Sequence, residues 1–158
     1  MTDMEQLHHS AYQCRDSEEM RAFYEDFLGL KLVNALTIAT QPSKPHLLHT
    51  FYAMNDGSCL SFFEEPNTPF DFKAQRDFNL HIALQVNKEA LLTMMDKGRA
   101  ESIETRGIAD HGFIKSIYFR DPNDYVLELS APKSYKPLRN IDAANAILKS
   151  WQATKPAP

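Results

Sequence analysis

The chain has 158 residues, 43% of them hydrophobic and 24% charged, enough apolar material for one well-covered core or two tightly packed small units. A formal charge of −4 and a pI near 5.8, with no basic patch, argue against a nucleic-acid or membrane-surface binder. No apolar run approaches the roughly 20 residues of a membrane span, and the opening MTDMEQLHH lacks a signal-peptide pattern. Cys14 and Cys59 both lie in apolar stretches and read as unpaired thiols in a reducing cytoplasm.

The first element in the chain is HSAYQC (9–14), a strand. A helix follows, opened by Asp16 as N-cap with Glu19 three residues on, carrying Met20, Phe23, Tyr24, Phe27 and Leu28 on one face before Gly29. HTFYAMNDGSCLSFF (49–63) reads as a hairpin around Asn55-Asp56-Gly57, and a Pro-containing linker follows over 65–77. HIALQV (81–86) then repeats the His, Ala and Gln of the first strand. Its helix opens at Asn87, carries Leu91, Met94 and Met95, and is expected to stop at Gly98. SIYFRDPNDYVLELS (116–130) closes the second half as a hairpin around Pro122-Asn123-Asp124, with Asp124 in a left-handed conformation.

Each half is thus β-α-β-β-β, over 7–64 and 78–132. The two are too small to be independent, so residues 1–132 are read as one α+β domain: paired βαβββ modules forming a curved mixed sheet around a cleft, helices outside. Residues 133–158 form an extension. Ile141, Ala144, Leu148 and Trp151 share one face of a short helix there, expected to pack on the body or on a twin subunit, before TKPAP frays.

Alternation along the strands assigns faces. Ile82, Leu84 and Val86 face the helix, so His81, Ala83 and Gln85 face the cleft, as do His9, Ala11 and Gln13 by the repeat. A three-residue loop pairs Tyr118 with Glu128 and turns both into the cleft, with Leu127 and Leu129 behind. A buried carboxylate needs a cation, a hydrogen-bond network or a metal. Two imidazoles and a carboxylate at one point suit Fe(II), or Mn(II) or Zn(II); a His–Glu hydrogen bond without metal is the alternative.

These features resemble the vicinal oxygen chelate superfamily, which groups glyoxalases, extradiol ring-cleaving dioxygenases, fosfomycin-modifying enzymes and bleomycin-resistance proteins. The resemblance covers residues 7–132 and is carried by LHHSAYQCRDSEEMRAFYEDFLGLKLV (7–33), NLHIALQV and FRDPNDYVLEL. It implies a metal held by His9, His81 and Glu128; His9 is preferred over His8 because it is in phase with His81. HGFIKSIYFRDPNDYVLE (111–128) resembles the extradiol dioxygenase signature, with His111, Tyr118, Asp121, Pro122 and Glu128 in place and Ala109 and Asp124 departing from it.

The resemblance therefore implies an Fe(II)-dependent dioxygenase acting on a small aromatic diol. Tyr118 would hydrogen-bond a substrate oxygen and His111 would move a proton. Phe51, Phe63 and Ser61 would line the site. Ring-cleaving relatives carry a further His where this chain has Ser58 and Cys59, and His49, on the same face, is the candidate to replace it. Glyoxalase-type members carry a Glu where this chain has Ser61. The alternatives are a metal-dependent lyase, isomerase or thiol transferase of the same superfamily, or a non-enzymatic sequestering protein of the bleomycin-resistance kind. Relatives often pair, so a homodimer is possible, with the modules meeting within one chain or between two.

Overall fold

In the first half, β1 (His9–Cys14) leads into Asp16, whose carboxylate accepts from the backbone N–H of Glu18 and Glu19 at 2.8 and 2.9 Å and caps α1 (Ser17–Arg21). The helix then widens into a π-helical turn over Ala22–Phe27, closed by the Leu28 N–H on the Phe23 carbonyl at 3.0 Å. That wide turn buries Phe23, Tyr24 and Phe27 together. Gly29, at φ +85°, ends it. β2 (Lys31–Ile38), β3 (Leu47–Ala53) and β4 (Cys59–Glu64) complete a four-stranded sheet ordered β1-β4-β3-β2, with β1 parallel to β4. The computed structural model describes residues 4–39, 47–74, 76–134 and 140–155.

The second half repeats this plan. β5 (Ile82–Gln85) enters α2 (Lys88–Ala100), capped by the Asn87 side chain on the Ala90 N–H at 2.7 Å. β6 (Thr105–Asp110), β7 (Ile114–Arg120) and β8 (Val126–Pro132) give the order β5-β8-β7-β6, again with the first strand parallel to the last. The sequence repeat is therefore a repeat of topology, and the paired βαβββ, α+β architecture expected from it is present. Both hairpins turn through three residues: Arg120 pairs with Val126 and Tyr118 with Glu128, while Phe51 pairs with Ser61. Gly57 (φ +87°) and Asp124 (φ +72°) take the left-handed position. Cys14 and Cys59 are both free thiols, and burial pushes Cys14 up to about 11.

One expectation needs correction, and a second is narrowed to one of its two alternatives. Gly98 does not stop α2, which runs on to Ala100. A Cβ at Gly98 would collide with Thr105 and the Phe119 ring, so the glycine lets the helix approach β6 and β7; overpacking of this kind costs about 1–3 kcal/mol. The extension does form a helix, α3 (Ile141–Thr154), but none of its side chains is buried, and Ile141 and Trp151 are 73% and 63% exposed. It does not pack on the body among the described residues. The fraying expected of TKPAP falls on residues 154–158: Thr154 still closes α3, and residues 156–158 lie outside those described.

The two sheets do not join edge to edge among the described strands. They share a core on their helix-covered sides instead, where Phe27 meets Phe119 edge-on at 5.3 Å and Tyr12 meets Tyr125 at 5.3 Å. The β7–β8 turn plugs into the first module. Asn123 Oδ1 accepts the Arg15 N–H at 2.8 Å, and the Asp121 carboxylate accepts the Tyr24 hydroxyl at 3.0 Å. Consequently β1 and β5 are both edge strands, and His9, Ala11 and Gln13, like His81, Ala83 and Gln85, stand exposed on the outer faces.

Asp121 is 4% exposed, and desolvation raises its carboxyl to about 6 despite three hydrogen bonds. The folded state therefore holds a proton that the unfolded chain has released, and stability falls as pH rises from about 4 to about 6. Asp121→Asn is expected to remove that slope. Thermal melts across this interval should show wild type losing on the order of 2 kcal/mol relative to the variant.

Candidate functional site

Alternation along β8 places Leu127 and Leu129 in the core and turns Glu128 to the opposite face, where its side chain is only 7% exposed. Parallel pairing of β5 with β8 sets Ala83 beside Glu128 and brings His81, just ahead of β5, against the carboxylate. His81 Nε2 lies 3.2 Å from Glu128 Oε2. His81 Nδ1 lies 2.7 Å from the Asp77 carbonyl, which can only accept, so Nδ1 carries a proton. In the neutral ring Nε2 then offers a lone pair directly to a carboxylate oxygen.

That contact is repulsive unless positive charge lies between the two atoms, from a second imidazole proton or from a metal cation. The donor set fits the metal. Two donors 3.2 Å apart can occupy adjacent corners of a coordination sphere whose bonds are about 2.1–2.2 Å long. The outer contacts are those that orient ligands: a carbonyl fixing the histidine tautomer, and Ser130 Oγ donating to Glu128 Oε1 at 2.7 Å. Ser130 is held in turn by Ser116, 3.1 Å away.

Tyr118 pairs with Glu128 across β7 and β8 and shares its face. Its hydroxyl lies 2.8 Å from His111 Nε2, so the two expected proton-handling groups are in direct contact. Burial and the Glu128 carboxylate hold the Tyr118 phenol above the usual tyrosine range. These four residues, with Asp77, Phe78, Phe113 and Ile114, line an open pocket of about 630 Å³. A groove of about 690 Å³ between Leu30, Met54, Gln85 and Met94 is larger, but no histidine reaches it.

His9 stands elsewhere. It lies on β1 against His8, with Nδ1 atoms 2.7 Å apart, and its ring meets His49 and Phe51 edge-on at 6.1 and 5.5 Å. His49 stacks flat on Phe63 at 3.6 Å and is 5% exposed. The Ser61 hydroxyl is buried and donates to the Ser10 carbonyl at 2.9 Å. One chain thus carries His81, Glu128, Tyr118 and His111 on one sheet, and His9, His49, Phe51, Phe63 and Ser61 on the other. No group of three metal-donor side chains forms among the described residues.

The sequence reading overlooked Asp77, Phe78, Phe113, Arg106 and Ser130. Ser130 follows Glu128 by two residues and Arg106 pairs with Tyr118, so strand alternation could have placed both on this face. Asp77, Phe78 and Phe113 lie on connections, where no periodicity marks them.

Because Glu128 supplies part of the rise at Tyr118, Glu128→Gln should lower the Tyr118 ionisation. Alkaline ultraviolet difference titration against a Tyr118→Phe reference should show the phenol titrating at lower pH in the variant, with the part of the rise due to burial retained.

A family model for the Glyoxalase/Bleomycin resistance protein/Dioxygenase superfamily matches residues 6–129. A Bacillus subtilis protein named "Putative ring-cleaving dioxygenase MhqA" is 28% identical over 131 residues, covering 82% of this chain and 41% of its own length. This chain therefore spans about two fifths of that relative. Among solved structures, a glyoxalase/dioxygenase from Nostoc punctiforme superposes with TM-score 0.62 at 22% identity, over 84% of this chain and 94% of that one. The fosfomycin resistance protein FosX from Listeria monocytogenes gives 0.64 at 20% identity, over 83% and 96%. A FosX mutant complexed with Mn(II) and 1S,2S-dihydroxypropylphosphonic acid gives 0.63 at 18% identity, over 83% and 95%. At these identities the structural likeness is one of fold.

Proposed function

The chain belongs to the Glyoxalase/Bleomycin resistance protein/Dioxygenase superfamily, and from that premise we propose an Fe(II)-dependent extradiol-type dioxygenase acting on a small aromatic diol. The observation that carries the reading is the His81–Glu128 pair, poised for a cation and facing the Tyr118–His111 couple in one pocket. The similarity to a protein named for ring cleavage supports the same branch.

The third ligand in this proposal is His9 of a second copy. Both histidine-bearing strands lie at sheet edges with their His-x-Ala-x-Gln faces exposed, so two chains can bring β1 of one to β5 of the other. A twofold dimer would then form two equivalent sites, each with His81 and Glu128 from one chain and His9, with His49, Phe51 and Phe63, from the other. Free thiols suit the cytoplasm as the place of action.

A divalent ion held by these three groups would acidify the bound diol and keep both reactants together. The Tyr118 hydroxyl would donate to a substrate oxygen, and His111, already 2.8 Å away, would relay that proton, since an imidazole can accept at one nitrogen and donate from the other. Phe78 and Phe113, with Phe51 and Phe63 from the second copy, would wall the ring and exclude water. Both atoms of O₂ would enter the ring-opened product. A second reading, a Mn(II)-dependent lyase, isomerase or thiol transferase, is favoured by the likeness to the FosX complex.

Anaerobic loading with Fe(II), addition of catechols and admission of air should give O₂ uptake together with ring-fission absorbance, both lost in Glu128→Ala. Uptake by no diol despite bound iron would select the second reading. Mixed His9→Ala and Glu128→Ala chains, each inactive alone, should recover about a quarter of wild-type activity through heterodimers carrying one intact site.

A further inference from the structure

Residues 76–80 form a short turn between the modules, and Asp77 within it makes two separate kinds of contact. Its backbone carbonyl is the acceptor for His81 Nδ1 at 2.7 Å. Its carboxylate bridges two arginines on the neighbouring strands, with Oδ2 2.6 Å from Arg106 Nη1 and Oδ1 3.7 Å from Arg120 Nη2. Glu104 bridges the same two arginines from the other side, at 3.2 and 3.3 Å. Asp77, Arg106, Glu104 and Arg120 therefore close a ring of alternating charge. Arg106 also lies over the Tyr118 ring, 5.4 Å from its centre.

All four side chains of the ring are between one third and one half exposed. Ion pairs in such surroundings contribute little to global stability, a median of about 0–1 kcal/mol each. Their effect here is geometric. The turn at 76–80 is outside both sheets, and its own backbone hydrogen bonds, from the Asn79 and Leu80 N–H groups, end on the Arg76 carbonyl and do not fix that of Asp77. The carboxylate grip on β6 and β7 does, and those strands also carry Tyr118.

We infer that Asp77 is a positioning residue: its carboxylate, clamped by Arg106 and Arg120, fixes the carbonyl that keeps the proton on His81 Nδ1 and leaves Nε2 free to bind a cation beside Glu128. The consequence for metal affinity rests on the proposed function; the effect on the His81 tautomer does not. Without the clamp the carbonyl drifts and the ring divides between its two tautomers. The part of the population protonated at Nε2 then presents an N–H to the site.

The test uses the full chain and two variants, Asp77→Asn and Glu104→Gln. Asp77→Asn loses the charge that grips both arginines and retains shape; Glu104→Gln breaks the far side of the ring and leaves the Asp77–Arg106 contact. On metal-free protein above neutral pH, long-range proton–nitrogen correlation of the imidazoles should show His81 protonated at Nδ1 in wild type and Glu104→Gln, and mixed in Asp77→Asn. Titration with Mn(II), followed by its electron paramagnetic signal, should show about tenfold weaker binding in Asp77→Asn and less than twofold change in Glu104→Gln. An unchanged His81 tautomer in Asp77→Asn overturns the inference, as does an equal effect of Glu104→Gln. A shifted tautomer in Asp77→Asn with no His81-dependent Mn(II) binding even in wild type upholds it and sinks the metal reading instead.

Discussion

The site is governed by one electrostatic requirement. A histidine nitrogen left without a proton, because a carbonyl holds it on the other side of the ring, rests favourably 3.2 Å from a carboxylate only with a positive charge between them. Strand alternation, the three-residue turn and the parallel β5–β8 pairing act together to create that demand. They bring the two groups to one point and remove the acid from water.

The modules are joined back to back, through their helices and the plugged β7–β8 turn. The faces that carry the duplicated His-x-Ala-x-Gln pattern are left outward, on strands with one unpaired edge each. Unpaired edges are usually blunted by charge or by a covering segment. Here β1 and β5 are short and present small or polar side chains, which suits close approach by a matching edge. Phe78, at 76% exposure beside the pocket, is another surface that a neighbouring chain or a substrate ring would cover.

How much was readable in the sequence follows from which signals are local. Counting residues through the 122–124 loop settled the register, and with it the side to which Glu128 turns, because a slip of one would have reversed it. Asp16 and Asn87 announced their helices through cap chemistry. Gly98 misled, since a glycine late in a helical pattern looks like a terminator, and only the third dimension shows Phe119 pressing on it. His9 marks a further boundary: a period of two tells which face a residue takes, never which sheet comes to meet it. Asp77 was invisible for another reason, since the group it offers His81 is a carbonyl that every residue has.

The β7–β8 hairpin has two ends with different duties. Its tip, from Asp121 to Asn123, is bolted into the first module, while Tyr118 and Glu128 sit further down the same two strands. A change that loosens the bolt therefore tilts phenol and carboxylate as one rigid lever, and takes with it the turn bearing Phe78, which Asp77 ties to Arg106 and Arg120, and the loop bearing Phe113, whose carbonyl accepts from the Lys133 N–H. Divergence toward new substrates has its inexpensive route in the two aromatic side chains alone, whose bulk can be recut while loop length, which sets Asp77 and His111, stays as it is.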